Sequence, residues 1–339
     1  MAITRRTLLA AGAAATLARP DLAFAQSAPD KVRFGVLYPN LTAAIHAIAK
    51  EAGTYQANNL DVEETRFKSG QTVEGLEQLW RGNLDFWMAG APEAVRLNSR
   101  VIESGDKPPL VVLSGTNPGH TCLVLSDRIE KPASVDELLQ KPMRIAVSSP
   151  SSVHLAFFRG FLRTEKGLDL DKIAWKFLPI EAGNMLPALQ TDQIDGLLHS
   201  EPTPTLAIMN KIGYLYMHGA RGDMGPNPPP GTFLTGRRAF VEQNPEATRR
   251  FLKALFDANK AYRDGPKEKM VEIMSGWSGQ KPEIIDVAYE RMNPTVGMSD
   301  AQARKWWDFN AQVMIERGEI LPSLDPAKDV FDLGFQPTA

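Results

Sequence analysis

From Lys31 onward, short apolar runs alternate with longer stretches of helical periodicity. Lys31–Leu37, Leu60–Phe67, Leu84–Ala89 and Leu110–Ser114 have strand length and are rich in β-branched or aromatic residues. Between them, Ala43–Asn58, Val73–Arg81 and Glu93–Ser104 repeat apolar residues at helical spacing, and Pro92 suits the first turn of the third helix. The next block uses the same alphabet. Thr121–Ser126, Arg144–Val147, Ile173–Leu178, Ile194–Leu198 and Gly213–Met217 read as strands, and Ser134–Leu139, Val153–Lys166, Ala182–Thr191 and Pro202–Asn210 as helices. Ser134 followed by Glu137 is a capping-box pattern. This alternation predicts parallel sheets built from β-α-β units, and two such blocks predict two α/β lobes.

The C-terminal part breaks the pattern. One short strand, Thr232–Thr235, is followed by helices over Pro245–Arg263, Lys267–Ser275, Pro282–Met292 and Asp300–Arg317. These helices have no sheet of their own, so they are expected to pack back on the first lobe. The proline- and glycine-bearing segments Gly115–Gly119 and Gly222–Gly231 mark the regions of two crossovers. The expected layout is therefore residues 26–118 as the first part of lobe I, 119–231 as lobe II, and 232–339 as the return and second part of lobe I.

The first 25 residues differ in kind. Arg5 and Arg6 precede the apolar run Leu8–Leu17, and Ala23-Phe24-Ala25 follows as a cleavage pattern. The run is about half of the roughly 20 residues that span a bilayer. An export signal, twin-arginine-like and cleaved, is expected, with the mature chain in the periplasm. Cleavage would remove three arginines and one aspartate, taking the formal charge from −2 to −4. Neither value draws the chain to nucleic acid. Cys122 is the single cysteine and lies in an apolar run, so it reads as a buried strand residue, and the fold must hold without an intramolecular disulfide.

The search for chemistry finds no nucleophile elbow, Walker loop, dinucleotide fingerprint or H-E-x-x-H pair. No two of the five histidines have close metal-ligand spacing, so neither a metal nor a cofactor is expected, and no catalytic constellation is visible. What remains are strand-to-helix loops rich in small polar residues: Tyr38-Pro39-Asn40-Leu41, Ser69-Gly70-Gln71-Thr72, Gly90-Ala91-Pro92-Glu93, Ser148–His154 and His199-Ser200-Glu201-Pro202. Such loops gather outside the carboxyl ends of the strands, where open α/β sheets bind ligands, and their amides and hydroxyls can hold a carboxylate or sulfonate. Tyr38, Trp87 and Phe233 are candidates to stack on a ligand, whereas Phe86 sits in a strand pattern and reads as core.

An ordered set of segments resembles the nitrate/sulfonate/taurine-type (NMT1-, SsuA- and TauA-like) substrate-binding proteins of ABC transporters. It comprises Leu79–Phe86, Arg144–Leu155, Leu186–Gly196, Ser200-Glu201-Pro202 and Gln243–Glu246. The resemblance implies a type II periplasmic-binding fold, two doubly wound α/β lobes joined by a two-segment hinge. It also implies a monomer that captures a small organic ligand and delivers it to an ABC permease and its ATPase. By motif, the ligand-binding positions are Ser149, Ser151, Ser152, His154 and Glu201 on lobe II and Gln71, Gly90 and Ala91 on lobe I; Tyr38 and Asn40 join them from the first loop. Two departures stand out: Pro150 replaces a glycine before the serine pair, and Ser200 a tryptophan. No lysine or arginine lies in the five loops, which points to an organic anion or zwitterion, with Glu201 available to an amine. A thiamine-precursor-like pyrimidine is the alternative ligand, an enzyme on the same fold a further one, and a receptor-docking sensor subunit would use the same cleft.

Overall fold

The computed structural model describes residues 28–337 except 69, 151 and 227; the export signal expected over residues 1–25 lies outside them. The described chain forms two five-stranded sheets flanked by helices. The first sheet contains β1 (Asp30–Tyr38), β2 (Leu60–Lys68), β3 (Phe86–Ala89) and β4 (Leu110–Thr116). The second contains β5 (Cys122–Ser126), β6 (Met143–Val147), β7 (Trp175–Pro179), β8 (Gly196–His199) and β9 (Gly213–His218). Strand β10 (Thr232–Arg237) returns to the first sheet, so the orders are β2-β1-β3-β10-β4 and β7-β6-β8-β5-β9.

The sheets are mixed rather than parallel. β1 pairs in parallel with β2 and β3, but β10 runs antiparallel to β3 and β4. β6 likewise runs parallel to β7 and β8, while β5 is antiparallel to β8 and β9. The reason is the crossing itself. A chain that leaves one sheet at the cleft end enters the other from the cleft side and must run away from it. Hydrophobic periodicity carries no strand direction, so the sequence pattern could not reveal this.

Phe34, Phe86 and Met88 of the first sheet form one core with Phe251, Leu255, Met274 and Ile285 from the C-terminal helices. On the opposite side Phe233 and Val112 pack with Trp306 and Met314. The second sheet has its own cores, one around Phe158, Phe161 and Trp175 and another around Met185, Leu189 and Leu197. Cys122 is fully buried in β5, and burial pushes its thiol well above the usual range, as suits an inert core residue.

The first helical stretch is broken where one helix was expected over Ala43–Asn58. A 3-10 turn, Leu41–Ala43, leads into Ala44–Glu51, and Gly53 at φ +73 separates that helix from Thr54–Ala57. Only glycine takes that left-handed conformation without strain. Among the described residues no helix is long and apolar enough to cross a membrane.

Candidate ligand-binding cleft

The parallel strands of both sheets point their carboxyl ends at one another, and the loops beyond them enclose a narrow cleft with about 40 Å³ of free volume. Lobe I supplies Leu37, Asn40, Thr42, Gly70, Thr72, Gly90 and Glu93. Lobe II supplies His120, Ser148, Ser149, Ser152, Val153, His154 and His199, and Thr232 comes from the second crossing. The lobes touch: a Cβ on Gly90 would stand 3.4 Å from that of Val153, and one on Gly160 would run into the Phe309 ring.

Local sequence explains how the polar groups are held. Asn40 caps the 3-10 turn, and its Oδ1 accepts from the Thr42 amide at 3.0 Å and from the Ser200 hydroxyl of the other lobe at 3.3 Å. Ser152 caps the helix Val153–Lys166, its hydroxyl accepting from the His154 amide at 3.3 Å. Gly70 at φ +103 turns the chain from β2 into Thr72–Trp80. Asn117 joins the crossings: its amide donates to Thr42 O, to the Thr116 hydroxyl and to the Thr232 hydroxyl.

The most distinctive group is one that no sequence spacing announces. His120, His154 and His199 stand side by side, with ring centroids 4.7 Å and 5.0 Å apart in that order. All three are buried. They come from the first crossing, a helix start and the end of β8, so 34 and 45 positions separate them only in sequence, not in space. His154 Nδ1 pairs with the Thr121 hydroxyl at 3.1 Å, and His199 Nδ1 with the Ser200 carbonyl at 3.1 Å. Neither ring nitrogen of His120 makes a well-formed hydrogen bond among the described residues, although the Asn117 carbonyl lies near the ring. Burial drives all three below the usual imidazole range, His120 to about 3 with help from His199 and His218 nearby. The imidazoles are therefore neutral at pH 7. Among the described residues no group of three His, Cys, Asp or Glu is arranged to hold a metal ion.

Of the positions singled out from sequence, Asn40, Gly90, Ser149, Ser152 and His154 line the cleft. Ser151 lies outside the described residues. The remaining four have other tasks. Tyr38 turns toward the C-terminal helices: its hydroxyl donates to Ser278 O at 3.3 Å, its ring meets Trp277 edge-on, and the Arg66 guanidinium lies over it. Gln71 accepts from the Lys68 amide at 2.8 Å, which closes the turn and leaves its neighbours Gly70 and Thr72 to face the cleft. Ala91 is core, packed in the cluster of Phe233 and Trp306. Glu201 is clamped by Arg291 at 2.6 Å and by the Thr205 amide at 3.1 Å, and Arg291 also donates to the Thr205 hydroxyl. Glu201 thus bridges the lobes through Arg291; it does not line the cleft itself but a smaller adjoining pocket that shares Thr42 and His120 with it.

The expected stacking residues are also occupied elsewhere. Trp87 lies against Gly35 and Gly75, where an added Cβ would come within 2.6 Å and 2.3 Å of its ring. Phe233 meets Trp306 at 5.1 Å. Phe86 is core, stacked on Phe251 at 4.4 Å. His120, Thr42, Thr232, Glu93 and His199 line the cleft although they were not among the candidates. Glu93 and His199 did lie in the loops recognised from sequence; His120 and Thr232 sit at the crossings, where only the fold brings them inward.

The sequence pattern of the NMT1-like family matches residues 25–275. The chain belongs to the NMT1-like family. A Brucella abortus (strain 2308) protein named "Putative binding protein BAB2_1146" is 24% identical over 96% of this chain and 97% of its own. Two solved structures share the fold at lower identity. The periplasmic aliphatic sulphonate binding protein SsuA from Escherichia coli has a TM-score of 0.69 at 16% identity, covering 89% of this chain and 97% of its own. The periplasmic nitrate-binding protein NrtA from Synechocystis PCC 6803 has a TM-score of 0.70 at 19% identity, covering 91% of this chain and 87% of its own. The NMT1-like chain thus has the periplasmic-binding-protein fold, and its relatives are binding proteins.

Proposed function

We propose that this NMT1-like protein is the extracytoplasmic solute-binding component of an ABC importer. It closes its lobes on a small organic molecule and presents the closed form to a permease and its ATPase. The observation that carries this reading is the cleft between two lobes that meet through separable polar contacts. Glu201–Arg291 and Ser200–Asn40 lie near the crossings, and Arg163–Glu316 at 2.7 Å lies further out. Residues 117–121 and 219–231 would act as the hinge, and a ligand that touches both lobes would favour closure by differential contact.

The cleft's chemistry supports an organic ligand over an inorganic anion. Amides, hydroxyls, imidazoles and the Glu93 carboxylate line it, and among the described residues no lysine or arginine does. Zwitterionic or acidic molecules of the sulfonate and carboxylate classes are the first candidates. The mature protein, tested with such a set, is expected to gain thermal stability that rises with the logarithm of ligand concentration above the Kd, and to leave each compound chemically intact. Asn40→Ala and Ser152→Ala should each weaken binding of the responding ligand by about tenfold, as loss of one buried hydrogen-bond partner predicts. Turnover of any compound, or unchanged affinity in both variants, would refute the reading.

A further inference from the structure

Resting on that reading of the cleft, the three imidazoles specify what the ligand must bring. His199 fixes the argument. Its Nδ1 faces the Ser200 carbonyl, which can only accept, so Nδ1 carries the proton and Nε2 is left as a lone-pair acceptor on a ring that lines the cleft. His154 has one nitrogen taken by Thr121 and stands 5.0 Å from His199, so its Nε2 is the nitrogen left over. His120 is 6% exposed, and neither ring nitrogen makes a well-formed hydrogen bond, although the Asn117 carbonyl lies near enough to favour a protonated nitrogen; the other nitrogen is then an acceptor. A buried polar atom without a partner is costly, and His120 places such atoms in a ring at the cavity wall, where an entering group can complete them. Among the described residues of that wall no lysine or arginine offsets an incoming anion, and Glu93 adds a carboxylate.

We infer that the ligand presents an amino or ammonium group to His120, His154 and His199, so the cleft selects amine-bearing molecules over simple organic anions. The His199 lone pair accepts one N–H, the neighbouring imidazoles accept through whichever nitrogen is unprotonated, and the amide- and hydroxyl-bearing loops opposite take the acidic end of a zwitterion. The site would then differ in polarity from one that holds a bare anion.

Matched pairs that differ only in the amino group test this: taurine with ethanesulfonate, β-alanine with propionate, and aminopyridine with pyridine, measured by calorimetry on the mature protein. The amine-bearing member of at least one pair is expected to bind at least about tenfold more tightly than its partner, because a site built to hydrogen-bond a group discriminates strongly against its absence. His199→Leu should bring that ratio close to one, while His199→Gln, which retains an acceptor, should keep part of it. If His199 variants fold poorly, His154→Leu and His154→Gln provide the same contrast. Equal or tighter binding of the unaminated partners overturns the inference, as does a ratio that survives both leucine variants. Binding of the unaminated members without turnover would leave the solute-binding reading intact. Chemical conversion would overturn that reading instead, and a set in which nothing binds would overturn both.

Discussion

The two lobes are built on one plan and differ in what they show the ligand. In lobe I, Arg33 on β1 gives Asp85 its backbone amide and two guanidinium hydrogen bonds, at 2.6–3.0 Å. In lobe II, Arg144 on β6 does the same for Asp195, at 2.7–3.0 Å. Both aspartates stand just before the central strand, β3 or β8, and tie it to its parallel neighbour. Both sheets also receive one reversed strand from the other lobe. The cleft faces diverge. Lobe I offers Asn40, threonine hydroxyls, glycine amides and Glu93; lobe II adds serines and three imidazoles. Framework and recognition therefore occupy different ends of the same strands. Staples at the amino ends hold the lobes alike, and loops at the carboxyl ends are free to differ.

The staples are the place to break the symmetry most forcefully. Asp85 is 2% exposed and also has Arg237 at 3.6 Å, whereas Asp195 is 16% exposed. Asp85→Ala should destabilise by about 2–3 kcal/mol, since it strands the Arg33 amide and removes the buried partner of the partly exposed Arg33 and Arg237 guanidinium groups, and Asp195→Ala by about 1–2 kcal/mol. Urea unfolding measures both; the reverse order would show that burial does not decide the difference.

Acid should act next, and mostly on lobe II, which holds four of the five histidines; His46 of lobe I is lowered by burial as well. His120 is held near 3 and His218 near 4 by burial, and His154 and His199 are lowered for the same reason. The unfolded chain binds these protons at about 6.5, so between there and the folded values it holds more protons than the native state, and stability falls as pH falls. His120 alone should remove about 2 kcal/mol by pH 5. A melting temperature that stays level from pH 7 to pH 5 would contradict this.

The smallest effect is expected at the latch. Arg291→Ala frees Glu201 and Thr205 at the junction of the lobes and should favour the open form. Ligand affinity should fall by about tenfold or less, a shift of roughly 1.4 kcal/mol, with a larger radius in small-angle scattering of the free protein. A larger loss would place Arg291 in direct ligand contact.

Much of the framework was legible in the chain because strand and helix periods are local properties. The runs around β1, β4 and β6 lie within one or two residues of their expected positions, and Ser134 caps its helix as its spacing with Glu137 suggested. The recognised loops do reach the cleft. Which side chain on each loop points inward was not legible: Gln71 and Ala91 turn away while Gly70, Thr72 and Gly90 face in. Turn closure and core packing make that choice, and both need partners far along the chain.

The sequence by itself determined the alternation of elements, the two-block organisation, the buried Cys122 and the loops at the strand ends. Only the tertiary structure decided the direction of β5 and β10, the clamping of Glu201 by Arg291 and the meeting of His120, His154 and His199. Periodicity is set by residues within a turn or two of one another. Strand direction, ion pairing and a shared cavity wall arise from contacts between segments tens to more than a hundred positions apart, and those distances have no local trace.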